Sequence, residues 1–397
     1  MKKYDSYKNS GIEWIGEIPT NWDVKKIKFI SKICNGQDQK AVLDEDGIYP
    51  IYGSGGIFGK ANSYLFDKPS VLLGRKGTID KPQYVEVPFW TVDTSYYTKI
   101  HKGFSVRLFY YLCTTINFEL YKYGSAIPSM TQGHLNEIKF AIPKSFDEQV
   151  SLANYLDHKT TKIDNLIAKK ESLIQLLEEE RVSVITQAVT KGLDPNVPMK
   201  DSGIEWLGEI PEHWEVKRMR FLCDITTGGK DTENREDNGL YPFYVRSQTI
   251  ERISSYSFDG EAILTAGDGV GVCKVWHYVN GRFDFHQRVY MLSNFQFVLG
   301  KYLFYYLKEN FGKEVMKLSA KSTVDSLRRP MFQNFMIPFG TLKEQEQIIL
   351  KIEKEEIRLQ NIIDKTKEEI QLLIEYKVAL ISEVVTGKLD VRDEKLN

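Results

Sequence analysis

The chain repeats itself, and that limits what it can fold into more than any other feature. SGIEWIGEIPTNW, from Ser10 to Trp22, returns as SGIEWLGEIPEHW from Ser202 to Trp214, with ten of thirteen positions identical at an offset of 192. The same offset carries Gly47–Pro50 onto Gly239–Pro242, Ser63-Tyr64 onto Ser255-Tyr256, Phe66-Asp67 onto Phe258-Asp259, and Gly77 onto Gly269. Further along, Phe140–Pro143 matches Phe335–Pro338 at 195, and Glu148-Gln149 matches Glu344-Gln345 at 196. A period of about 190 residues is too long for a solenoid and predicts a tandem pair of domain-sized units. The length of 397 residues leaves room for two such units with cores of their own.

Each copy divides into two parts. Residues 24–147 and 215–343 are rich in Tyr, Phe and Gly. They hold short β-branched or aromatic runs such as Ser70–Leu73 and Arg288–Leu292, punctuated by turn signals at 53–56 and 227–229. That pattern predicts mixed, strand-rich domains, with Phe109–Leu112 and Tyr302–Leu307 as core helices. Residues 148–190 contain neither Gly nor Pro. Their apolar side chains recur on a heptad beat at Leu152, Leu156, Ile163, Leu166, Leu173, Leu177 and Val184. Residues 344–386 do likewise at Ile352, Leu359, Ile362, Ile370, Leu373, Leu380 and Val384. Sustained heptads with charged flanks predict a coiled-coil seam, in helices of ~43 residues, about 65 Å each. Lys159, Lys170 and Glu180 interrupt the first seam, and Gly192 and Gly387 are placed to stop the helices.

Charge separates the same parts. Residues 24–147 carry 16 basic against 11 acidic side chains, and residues 215–343 carry 18 against 14. The helical segments are acidic, 6 against 8 over 148–194 and 9 against 13 over 344–397. A basic excess confined to the globular parts suits a polyanionic partner there and not along the helices. No stretch approaches the ~18 consecutive apolar residues of a membrane span. The N-terminus lacks the apolar segment of a secretory signal. The cysteines Cys34, Cys113, Cys223 and Cys273 are too scattered for a zinc site or disulfide framework, which fits reduced thiols in the cytoplasm.

Motifs for independent chemistry fail on inspection. Ser54–Ala61 resembles a phosphate-binding loop but lacks the first glycine and the final hydroxyl, and Gly267–Gly271 misses the dinucleotide spacing. Metal-ligand clusters and a nucleophile elbow are absent from the sequence. Asp/Glu-x-Lys triplets such as Asp23–Lys25 arise by chance when 27% of residues are charged. The readings that remain are recognition of DNA by two unlike heads, a coiled-coil scaffold without nucleic acid, and a nuclease built on Asp23 and Lys25.

The duplicated Ser-Gly-x-Glu-Trp leader, the run Val71–Thr78 followed by Phe89–Thr94, and Glu344-Gln345 opening a helix that ends at Thr386–Asp390 together resemble the specificity subunit of type I restriction–modification systems. The resemblance covers essentially the whole chain. It implies an α+β fold, with two similar strand-rich α/β target-recognition domains separated by two long antiparallel coiled-coil helices. The organisation would be pseudo-two-fold and circular-like, with the C-terminus near Met1. The implied domains are 1–147 (leader plus first recognition domain), 148–194 (first spacer helix), 195–343 (leader plus second recognition domain) and 344–397 (second spacer helix and tail). The implied role is a non-catalytic subunit whose domains each read half of an asymmetric bipartite site in double-stranded DNA. The helices would set the half-site spacing. Two modification (methyltransferase) subunits and two restriction (motor–nuclease) subunits would be its partners, and S-adenosylmethionine, ATP and Mg would belong to them.

Base readout needs donors and acceptors that reach groove edges. In the first head the candidates are Arg75, Lys76 and Thr78 in a glycine-flanked loop, with Ser129, Thr131, Gln132 and His134 in a second polar run. In the second head they are Asp268 and Lys274, with Arg246, Gln248, Lys321, Ser322 and Thr323 in polar loops. Trp14, Trp22, Trp206 and Trp214 are expected to anchor the leaders by packing.

Overall fold

The computed structural model describes residues 2–122, 128–317 and 326–394. The chain forms two compact units, Met1–Lys170 with Lys367–Asn397, and Glu171–Thr366. The boundary falls inside both long helices, Phe146–Lys191 and Leu342–Val385. Each unit therefore holds one leader, one strand-rich domain, the first half of the helix that follows it and the second half of the other helix.

In the first unit the leader forms a hairpin of Tyr7–Asn9 with Glu17–Pro19. The strand after it, Trp22–Lys26, pairs antiparallel with Lys139–Pro143, the strand that enters the long helix. This pairing closes the domain, with its entry and exit side by side. The second unit repeats it: Met199–Asp201 with Glu209–Pro211, then Glu215–Arg218 with Met336–Phe339.

Between these strands lies the central sheet of each domain. In the second unit it is one six-stranded sheet in the order Asp224–Thr227, Val289–Ser293, Phe258–Ala266, Trp276–Phe285, Tyr241–Tyr244, Ile250–Ile253. In the first unit the same order is cut in two. Ser31–Asn35, Ser95–Ile100, Ser70–Gly74 and Gln83–Val85 form one sheet, and Gly56–Ala61, Tyr49–Gly53 and Trp90–Thr91 the other. The cut falls where Gln83–Val85 and Trp90–Thr91 together match the single long strand Trp276–Phe285. Pro88 lies in that gap, and a proline has no N–H to give the ladder. The aromatic runs fall in core helices, Val106–Thr114 and Gly300–Lys317. Phe109, Tyr111, Leu112, Tyr302, Tyr305, Tyr306 and Leu307 are buried there.

The helices are antiparallel within each unit. In the first, Asp164 pairs with Lys377 at 2.7 Å and Lys170 with Glu369 at 2.5 Å. In the second, Glu180 pairs with Arg358 at 2.6 Å, and Leu177 packs with Leu359 and Ile363. The heptad seam is less continuous than its spacing predicts, because Leu166 and Leu173 are exposed. Burial is densest at the helix ends. Leu152, Leu156 and Ile163 join the core of the first domain together with Leu380, Ile381 and Val384, and Ile185 and Val189 join that of the second.

The repeated sequence signatures meet at these ends. Gly192 and Gly387 take φ of +75° and +72°, a left-handed turn that stops each helix and favours glycine. A Cβ on Gly387 would fall 2.3 Å from Pro19, and one on Gly192 would stand 3.4 Å from the Trp214 ring. Each leader thus packs on the glycine stop of the helix contributed by the other repeat. Trp22 and Trp214 are fully buried anchors. Trp14 instead lies half exposed near the tip of its hairpin, and Trp206 stacks on Phe335 with ring centroids 6.2 Å apart. The chain ends meet in the first unit, where the Asp390 amide donates to the Lys2 carbonyl at 2.9 Å.

The Glu-Gln pair that opens each helix explains its recurrence. Glu148 is buried and accepts from the Trp22 indole at 2.9 Å, the Tyr4 hydroxyl at 3.0 Å and Asn21 at 3.1 Å. Burial and this carboxylate push the Tyr4 hydroxyl well above its ordinary range. Glu344 lies 2.7 Å from His213 and accepts from Trp214 at 3.4 Å, while Thr341 and Glu344 form a capping box. Gln149 and Gln345 bind the domain loops, accepting from the Ser105 and Leu299 amides at 2.9 and 2.8 Å. A helix start, a leader and a domain are locked together in both copies by the same two residue types.

Candidate nucleic-acid interface

In the first head, the loop after strand Ser70–Gly74 meets the segment before helix Gln132–Glu137. Lys76 bridges to Ser129, the Met130 amide donates to the Arg75 carbonyl at 2.9 Å, and the Gly77 amide donates to the Pro128 carbonyl at 3.0 Å. Two polar runs more than fifty residues apart in sequence therefore form one edge. The Arg75 and Lys76 amides both donate to Thr94 O, and the Arg75 guanidinium donates to Asp93 O at 3.2 Å. Lys76 is exposed and makes no ion pair among the described residues. Ser129 is buried, while Thr78 is partly exposed. Thr131 caps the short helix by accepting from the His134 amide at 3.1 Å. Gln132 donates to Asn35 at 3.1 Å, and His134 Nδ1 lies 3.2 Å from Tyr121 O.

A third segment reaches this edge. Gly77 has φ of +82°, and a Cβ there would sit 3.3 Å from Ser54 Oγ. The glycine-rich run 53–56 is a hairpin tip against the loop, held by Gln83 donating to Gly53 O at 2.9 Å.

The second head builds the same frame. Asp268 bridges to Ser326 as Lys76 does to Ser129, and the Leu327 amide donates to Gly267 O at 2.7 Å. The Gly267 amide donates to Arg288 O at 2.8 Å, as the Arg75 amide does to Thr94 O. Backbone pairing thus sets Gly267 against Arg75, Asp268 against Lys76 and Arg288 against Thr94, and the repeat offset sets Arg246 against Ser54. The chemistry differs. Arg246 donates to Asp268 Oδ1 at 2.9 Å, and Arg288 to Asp268 Oδ2 at 3.0 Å. Partial burial works to raise the Asp268 pKa, but the two guanidinium hydrogen bonds outweigh it and hold the carboxyl below its ordinary range.

Lys274 is exposed beyond the turn Gly269–Gly271, its amide donating to Gly271 O at 3.0 Å. Gln248 is exposed in the loop after Tyr241–Tyr244. Lys321, Ser322 and Thr323 lie outside the described residues. Sequence reasoning did not single out Arg288, nor Arg328, which stands before helix Arg329–Asn334 where Thr131 stands before its counterpart. Arg288 opens a run whose pattern predicts a strand and nothing more, and only strand pairing brings it to Asp268.

Among the described residues no cluster of three or more His, Cys, Asp or Glu could hold a metal ion, and no helix is long and apolar enough to cross a membrane. The four cysteines are free, and burial pushes the Cys113 thiol well above its ordinary range.

The chain is similar to known proteins over most of its length. The chain is 24% identical to the type I restriction enzyme MjaVIII specificity subunit of Methanocaldococcus jannaschii, over 95% of each protein. It is 23% identical to the EcoDI specificity subunit of Escherichia coli, over 46% of this chain and 40% of that one. Among solved structures, the HsdS subunit from Thermoanaerobacter tengcongensis superposes with a TM-score of 0.54 at 12% identity, covering 94% of this chain and 98% of that one. A chain from work on complex assembly and conformational transition of the type I R–M system gives 0.73 at 12%, covering 94% and 99%. At these identities the likeness speaks for the fold alone. The family description "Type I restriction modification DNA specificity domain" matches residues 19–176 and again 211–372. The chain belongs to the type I restriction–modification DNA specificity family, with two copies of its specificity domain.

Proposed function

We propose that each recognition domain reads one half of an asymmetric bipartite site in double-stranded DNA. The observation that carries this reading is the pair of bridged edges: one backbone frame, Lys76 with Ser129 and Asp268 with Ser326, dressed with different side chains. A common frame with unlike tips is what reading two different half-sites requires. Functionally the chain divides into 1–147, 148–194, 195–343 and 344–397. The contact set is Arg75, Lys76, Thr78, Ser129, Thr131, Gln132 and His134 in the first head, and Arg246, Gln248, Asp268, Lys274, Lys321, Ser322 and Thr323 in the second.

The long helices, 46 and 44 residues, run about 65–70 Å each. Half-sites one turn of DNA apart lie about 34 Å from each other, so these helices are long enough to set that spacing. They also carry apolar side chains in the open, Leu176, Val182, Leu350, Ile357, Leu372 and Val378, as a docking surface requires. A cavity of 410 Å³ beside Ile204, Trp206 and Phe335 is matched by one of 380 Å³ beside Ile12, Trp14 and Phe140. Surfaces that occur twice suit two copies of one partner. On this reading two modification subunits dock on the helices and leaders and supply S-adenosylmethionine chemistry. Two motor–nuclease subunits supply ATP- and Mg-dependent cutting, and the chain works in the cytoplasm without catalysis of its own. A modified base would leave the stack in the modification subunit.

A gel shift on random duplex DNA, with and without the modification subunit, tests the reading. A shift that becomes sequence-selective on assembly supports it. No shift in either case points to a scaffold, and magnesium-dependent cutting by this chain alone points to a nuclease.

A further inference from the structure

The strand-rich domain of the second unit carries a charged constellation at its bridged edge. Arg246 and Arg288 approach Asp268 from opposite flanks, one on each carboxylate oxygen, at 2.9 and 3.0 Å. Backbone contacts hold the segments that carry the three side chains. Gly267 fixes the Arg288 main chain at 2.8 Å, and the Arg288 amide donates to His286 Nδ1 at 2.9 Å. A Cβ on Gly271 would fall 2.4 Å from Arg246 O, so that turn lies directly on the Arg246 backbone. The carboxylate is the most covered member, 24% exposed against 40% for Arg246 and 57% for Arg288. Each arginine gives only Nη1 to Asp268, and among the described residues Nε and Nη2 of both take no further partner.

The structure assigns Arg288, with Arg246 beside it, as the guanine-reading fork of the second head, and Asp268 as the positioning residue that holds both arginines. This rests on the reading of the domain as a DNA half-site reader and goes beyond it in naming the base and dividing the roles. An isolated carboxylate on this edge would favour cytosine, whose amino group it can accept from. Here both carboxylate oxygens already accept from guanidinium groups, and the triad keeps a net charge of +1, which suits a polyanion. A guanidinium pinned by a carboxylate loses little rotamer freedom on binding. Its remaining donors form the flat pair that matches guanine O6 and N7. The first head has no such fork: Ser54, Lys76 and Thr94 occupy the positions of Arg246, Asp268 and Arg288.

The test uses the full chain assembled with its modification subunit, on duplexes carrying the cognate site with each base pair of each half-site replaced in turn. Arg288→Ala and Arg288→Lys are both expected to weaken cognate binding by roughly 5- to 150-fold, the range of one bidentate base contact. Both should become indifferent to replacement of one particular G·C pair. Asp268→Asn should blunt discrimination at that same pair. In all three variants discrimination across the other half-site should stay intact, which also reports that the chain is folded. Recovery of wild-type binding and discrimination by Arg288→Lys would mark a phosphate contact and overturn the assignment, as would full discrimination at every G·C pair in Arg288→Ala. If the wild-type complex itself discriminates at no base pair, the underlying half-site reading fails, and the assignment with it.

Discussion

The two bridged edges present different charge on one frame. In the first head the cations Arg75 and Lys76 stand on the loop between the flanking segments, and the flanks carry the neutral Ser54 and Thr94. In the second, the loop carries Gly267 and Asp268, and the cations stand on the flanks as Arg246 and Arg288. Three backbone pairings recur in both edges: the Lys76–Ser129 and Asp268–Ser326 bridges, the Met130 and Leu327 amides on Arg75 O and Gly267 O, and the Arg75 and Gly267 amides on Thr94 O and Arg288 O. Main-chain hydrogen bonds therefore hold the edge, and the side chains on it are free to change. A module that meets many targets needs that separation.

Where the units are alike, equivalent substitutions should cost alike. Trp22→Ala and Trp214→Ala each remove a fully buried indole wedged between leader, helix stop and helix-opening glutamate. Each should destabilise its unit by about 3–5 kcal/mol, read from urea unfolding followed by hydrogen exchange. A large cost in one unit and none in the other would break the equivalence of the frames.

Where they differ, substitutions should act in opposite directions. Lys76→Ala removes an exposed cation, so binding should weaken and the slope of log affinity against log salt should become shallower by about 1. Asp268→Ala removes a negative charge between two arginines. Non-specific affinity should rise while discrimination between sequences falls. Salt titrations on cognate and random duplexes read both effects, and a change of the same sign in both variants would deny that the edges differ in charge logic.

The smallest effect concerns pH. Burial, the leading cause, lowers the pKa of His277 and His286 from an ordinary value of 6.5; at His286 Asp231 and Asp268 oppose it, while Arg246 and Arg288 act with it. The folded state thus favours the neutral form of both rings. Its stability from them is complete above the unfolded value and is lost as pH falls below it. The melting temperature should decline between pH 7 and 5, and less steeply in a His277→Gln, His286→Gln double variant. An unchanged slope would remove these rings from the account.

Much of this was legible in the residues. The leaders, the helix stops and the Glu-Gln pairs could be aligned by eye, because each is a contiguous signature serving one local job. What Glu148 does was not legible, since its partner Trp22 lies 126 positions away and only the closing strand pair brings them together. Arg288 was missed for the same reason. The heptads named Leu166 and Leu173 as seam residues, but spacing identifies an apolar stripe and not what covers it. Near the helix ends the domains cover that stripe, and at mid-helix they do not. The sheet break in the first head shows the reverse case, a single Pro88 whose consequence follows from its missing N–H.

If one chain joins two independent readers, the halves of its DNA target must fail separately. Mapping the methylated bases in DNA treated with the assembled complex, wild type and Arg75→Ala, asks whether the two fail separately. The expected result is a motif of two unlike halves at a fixed separation, of which Arg75→Ala makes only one degenerate. A single continuous motif, or both halves degenerating together, would contradict it.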